Sequence, residues 1–98
     1  MNIFEIEKLS MTEEMIEILA ENKDVKIERI ISTGQTTDWM SDTRKEFVIL
    51  VQGRATIQFE NGKVDMSEGD TLLIEARRWH KVSYTSRDPH CIWICIYF

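Results

Sequence analysis

The stretch from Arg54 to Met66 constrains the fold of this chain most. Ala55, Ile57 and Phe59 alternate strictly with Thr56, Gln58 and Glu60, the period-two pattern of a half-buried strand. Glu60-Asn61-Gly62-Lys63 follows, with an Asn-Gly pair that tolerates positive φ at both central positions of a hairpin turn. Val64 and Met66 then resume the alternation on the return strand. A chain that opens with such a hairpin and keeps its runs this short builds sheets. Phe47–Val51 is a continuous β-branched and aromatic run, suited to a strand covered on both faces. Ser67-Glu68-Gly69-Asp70 makes a further turn before the short apolar run Thr71–Ile74. His80, Val82 and Tyr84 alternate with Lys81, Ser83 and Thr85, which predicts that the first three share a face. Cys91–Phe98 is apolar on both faces. Short strands with closely spaced turns predict a sandwich or barrel.

Upstream, Val25–Thr33 reads as the first long strand, with Val25, Ile27, Arg29 and Ile31 on one face. Residues 10–21 read instead as a helix. Ser10 and Glu13 match a capping box, and Met11, Met15, Ile18 and Leu19 fall on one stripe. The expected organisation is a single domain over 1–98, with a helical segment at 1–24 and a β-barrel at 25–98.

Spacing within this framework resembles the cupin superfamily. Glu46 followed by six residues and Gly53 matches the end of the first cupin motif, G-x5-H-x-H-x(3,4)-E-x6-G, and Gly34 stands at its first glycine. Gly69, with His80 eleven positions on, matches the second motif, G-x5-P-x-G-x2-H. The match covers about residues 25–98 and comes nearest to the small single-domain conserved-barrel cupins, in which a Trp-containing loop precedes E-[WF]-V. Here those positions read Asp38-Trp39-Met40-Ser41 and Glu46-Phe47-Val48. The two first-motif histidines are replaced by Met40 and Asp42, and the second-motif proline and glycine by Glu75 and Arg77. The resemblance implies a mainly β, jelly-roll barrel, to which the sequence adds one N-terminal α-helix.

The resemblance places Glu46 and His80 in the barrel lumen. Strand periodicity sets Glu46 on the face of Val48 and Leu50, where a carboxylate must be hydrogen-bonded, paired or metal-bound. With Asp42 four residues earlier, two carboxylates and one imidazole would suit Mn²⁺ or Fe²⁺ more than copper or structural zinc, the expected cofactor being one divalent metal (Mn, Fe, Zn or Ni). The opposing reading is metal-free, with Arg77 or Arg44 paired to Glu46. Three functional classes stay open. One is a metal-dependent enzyme of oxygenase or isomerase type. Another is a metal-free acid–base enzyme, with His80 as base and Tyr84 as acid alongside Glu46. The last is a binder of a sugar or organic acid, whose ligand meets Trp39, Met40, Trp79, Trp93 and Tyr84, with Arg77 and Arg78 available to an anionic group.

A net charge of −5, from twelve basic and seventeen acidic residues, argues against nucleic acid as a partner. The longest apolar run, Ile92–Phe98, is far short of a membrane span. The N-terminal residues lack the pattern of a signal peptide, which leads to an expected cytoplasmic location. Cys91 and Cys95, four residues apart on a strand, would lie about 13 Å from each other, too far for a mutual disulfide. The doubly apolar last strand, with the family habit, leads to an expected homodimer.

Overall fold

The computed structural model describes residues 1–98 and is built of eight strands. These are β1 (Met15–Glu21), β2 (Lys26–Ser32), β3 (Glu46–Gln52), β4 (Ala55–Phe59), β5 (Gly62–Met66), β6 (Thr71–Ile74), β7 (His80–Thr85) and β8 (Cys91–Tyr97). Every pairing is antiparallel. One sheet runs β1-β2-β8-β3-β6 and the other β5-β4-β7. The inner faces of the two sheets enclose a core of Val48, Leu50, Ala55, Ile57, Phe59, Met66, Ile74, Cys91, Trp93 and Cys95. This is the jelly-roll barrel that the cupin resemblance implied, and it satisfies the sandwich or barrel expected from the short alternating strands. No helix is long and apolar enough to cross a membrane.

The expected N-terminal helix does not exist. Met15–Glu21 is strand β1, and no other segment of the chain is helical either. Ser10 does act as a local cap, its Oγ accepting from the Glu13 and Thr12 amides at 3.1 and 3.4 Å, but it closes only a turn. An isolated helix of this length is marginal, because few residues share the cost of nucleation. The extended alternative gains a six-pair ladder against β2, from Met15↔Ile31 to Glu21↔Lys26. Asn22 fixes the connecting hairpin, its Oδ1 accepting from the Asp24 and Val25 amides, both at 2.8 Å. The apolar residues at 15, 16, 18 and 19 satisfy both a helical stripe and a strand, and the tertiary ladder decides between them.

Arg29 secures this edge from the outer face. It is 5% exposed, donates to the Ile3 and Glu5 carbonyls at 3.1 and 2.8 Å, and pairs with Glu17. The N-terminal residues are thereby strapped across β1 and β2.

Two further details differ from expectation. The β4–β5 hairpin closes one residue early: Phe59 pairs with Gly62, so Glu60 and Asn61 form the loop and Gly62 takes the positive φ, 152°. Strand β7 carries a bulge at Ser83, where Ile57 faces Val82 but Thr56 faces Tyr84. The extra residue reverses the alternation, leaving Thr85 buried and Tyr84 47% exposed.

Gly53 turns the chain from β3 into β4. Its φ is +96°, and a Cβ there would lie 2.8 Å from Cys91 Sγ and 2.9 Å from Ser86 Oγ. Ser86 Oγ also accepts from the Arg54 amide at 3.0 Å and donates to the Pro89 carbonyl at 2.6 Å. Only glycine fits this corner.

Candidate functional site

The open end of the barrel holds a cavity of about 150 Å³. Strand register explains which side chains reach it. In antiparallel pairs, residues directly opposite share a face. Glu46 is opposite Tyr97, Val48 opposite Cys95, and Leu50 opposite Trp93. On the other side of β8, Glu28 is opposite Cys95 and Ile30 opposite Trp93. The facing sheet contributes Ile57, His80 and Val82. His80 stands at the start of β7, where the loop carrying Met40 pairs with it through two backbone hydrogen bonds of 2.8 and 3.0 Å.

Glu46 and His80 meet across this space. His80 Nε2 lies 3.7 Å from Glu46 Oε1, with the side chains 4% and 12% exposed. His80 Nδ1 is 2.8 Å from the Arg78 carbonyl oxygen. A carbonyl only accepts, so Nδ1 carries a proton and Nε2 is the nitrogen turned toward Glu46. Burial pushes the Glu46 carboxyl above its ordinary range, while the opposite His80 and the nearby Cys95 thiol pull the other way. Burial, reinforced by Glu46 and Glu28, pushes the Cys95 thiol well up, so it behaves as a protonated thiol and not as a nucleophile. The Tyr97 phenol is likewise held far above its usual range, by burial first and Glu46 second. Neither Cys95 nor Tyr97 therefore releases a proton readily at this site.

The remaining candidates are distributed unevenly. Met40 and Trp93 line the cavity, Met40 at its rim and Trp93 deep inside with its Nε1 donating to Ser32 Oγ at 3.2 Å. Asp42 does not line it. Its carboxylate accepts from the Arg44 amide at 2.8 Å and lies 3.3 Å from Arg44 Nε. Burial alone would raise the Asp42 carboxyl, but these Arg44 interactions outweigh it and hold the group below its ordinary range. Arg44 thus pairs with Asp42 and not with Glu46. Trp39 is 41% exposed under the Lys81 ammonium, and Tyr84 points outward past the bulge. Arg77 (φ 63°) and Trp79 border a separate shallow cleft over Phe59, outside the lumen.

Glu14, Glu28, Cys95 and Tyr97 reach the cavity without having been singled out from the sequence. Cys95 and Tyr97 carried a usable signal, because they share the face of Trp93 on β8. Glu14 had none, since a helical reading of its segment removed it from the barrel.

The donor set does not fit a metal centre. No three His, Cys, Asp or Glu side chains converge as a metal-ligating group. Met40 and Asp42 stand where the motif has histidines, and Asp42 is turned to Arg44. Two remaining ligands are fewer than the three protein donors usual for a catalytic site.

Comparison with known proteins agrees with this architecture. A profile of the cupin domain matches residues 28–97. A Ralstonia eutropha JMP134 protein provisionally named a mannose-6-phosphate isomerase is 32% identical, with a TM-score of 0.91 over 98% of this chain and 94% of its own. A cupin superfamily protein from Desulfitobacterium hafniense DCB-2 shares the fold at 18% identity and a TM-score of 0.82, over 93% and 82% of the two chains. KdgF from Halomonas sp. does so at 19% identity and a TM-score of 0.73, over 86% and 78%. No curated protein matches the chain significantly. With the profile spanning most of the barrel and both motif spacings in place, the chain belongs to the cupin family.

Proposed function

We propose that this cupin binds a small organic molecule in its lumen, with the Glu46–His80 pair as polar anchor and without a metal. The observation that carries this reading is the buried 3.7 Å contact between a carboxyl and the basic nitrogen of an oriented imidazole, facing a cavity lined mainly by apolar side chains. Ligand sites combine these features: an apolar concave wall and a few convergent polar groups. Cavities of about 150 Å³ accept molecules the size of benzene, which sets the scale of the ligand.

The fixed tautomer favours a second reading of the same geometry. Nε2 can take a proton from a bound substrate while Glu46 returns one, the chemistry of an isomerase. The name carried by the Ralstonia protein is in keeping with that class. Two free, buried cysteines suit a reducing compartment and support a cytoplasmic location. A homodimer is supported by an apolar row on the outer face, Ile27–Ile96–Phe47–Leu73, crossing four adjacent strands.

The binding claim is tested by nuclear magnetic resonance of the three tryptophan indole N–H groups, Trp93 being assigned through Trp93→Phe. Titration with benzyl alcohol should move the Trp93 signal and leave Trp39 and Trp79 in place. In Glu46→Gln and His80→Gln variants the shift should require at least about tenfold more ligand, the loss of one charge-assisted hydrogen bond. A ligand that moves Trp39 or Trp79 alone would overturn the lumen assignment.

A further inference from the structure

The lumen wall is charged with one sign. Three acidic side chains, Glu14, Glu28 and Glu46, are among its fifteen lining residues, and neither Lys nor Arg is. Their protein partners are few. Ser32 Oγ donates to Glu14 at 2.9 Å, and Glu46 faces His80. Glu28 has a cation, the Lys26 ammonium, at 3.7 Å. That ammonium also lies 4.8 Å from the centre of the Tyr97 ring. Lys26 does not itself line the cavity, but it sets one amine between a carboxylate and an aromatic face of two lining residues, the pairing that recognises ammonium groups elsewhere. Arg44 also approaches Tyr97, at 5.3 Å from its ring centre, but it is committed to Asp42 and does not line the cavity.

We propose that the lumen selects small amines, a compact apolar body bearing an ammonium group, and rejects carboxylates and phosphates. The inference rests on the reading of the lumen as the ligand site and adds the class of ligand. The apolar body would lie against Val48, Ile57 and Trp93, and the ammonium would face Glu14 and Glu28. A phosphate would meet these acidic groups with no arginine or lysine in the wall to receive it. By this account a ligand like the one in the name of the Ralstonia protein does not transfer to this chain.

The test is a charge series at constant size: benzylamine, benzyl alcohol and benzoate, titrated at pH 7 and matched ionic strength while the Trp93 indole signal is followed. Benzylamine should bind at least tenfold more tightly than benzoate. Glu14→Gln and Glu28→Gln should each cut that ratio at least threefold. Benzoate binding as tightly as benzylamine, or a ratio unchanged in both variants, would overturn the charge selection. If benzyl alcohol binds while benzylamine shows no advantage, the lumen reading stands and this inference falls. If none of the three moves Trp93, both fall.

Discussion

Removing one member of the Glu46–His80 pair should reveal how strongly the two are coupled. Their nearest atoms are 3.7 Å apart and both side chains are largely buried. With an effective dielectric constant of about 20, unit charges at that separation attract by roughly 4 kcal/mol at most. Relaxation and residual solvent reduce this attraction, whereas the cost of desolvating Glu46, visible in its raised carboxyl, belongs to one residue and cancels in a mutant cycle. A cycle of wild type, Glu46→Gln, His80→Gln and the double variant should therefore give a coupling of about 1–3 kcal/mol. Urea denaturation at pH 7 measures it. The pH dependence supplies a second signature. A carboxyl raised in the folded state holds its proton more tightly there than in the unfolded chain. Its contribution is complete below the unfolded value of 4.5 and is lost as pH rises through the higher folded-state value. Wild type should thus lose stability relative to Glu46→Gln as pH climbs from 4.5, because glutamine does not titrate. A coupling below about 0.5 kcal/mol, with a wild-type-to-variant difference independent of pH, would show that the two side chains do not interact in the folded protein.

Other perturbations test neighbouring parts of the structure. Val82→Phe, which adds bulk to the cavity wall, should weaken benzyl alcohol binding at least tenfold while changing stability by less than about 1.5 kcal/mol; retained binding would contradict the cavity assignment. Gly53→Ala introduces a strained φ and contacts under 3 Å, and should cost about 2–4 kcal/mol by urea denaturation. An unchanged midpoint would show that the corner yields. Ile96→Lys, at the centre of the outer apolar row, should convert a dimer to a monomer by light scattering; a wild-type chain already monomeric would remove the dimer proposal.

Much of the barrel was legible because its signals are local. Strict alternation at 55–59, the Asn61-Gly62 pair and the glycines at 53 and 69 specify strands and turns within a few residues of themselves. Glu46 and His80 were legible through motif spacing, and the chain brings them together. What stayed hidden depends on partners distant in sequence. The segment at 15–21 fits a helical stripe as well as a strand, and only β2 decides. Tyr84 shares a face with His80 by alternation, yet one bulged residue turns it outward. Glu28 and Glu14 gain meaning only once β2 and β1 lie beside β8 and close one side of the lumen.

If Glu46 and His80 form a metal-free pair facing a ligand-sized lumen, the protein carries no metal there. Metal analysis of untagged protein purified without chelator, beside a Glu46→Ala, His80→Ala double variant, addresses it most directly. Metal should be far below one equivalent and equal in both proteins. Near-stoichiometric Mn, Fe, Zn or Ni that disappears in the variant would contradict it.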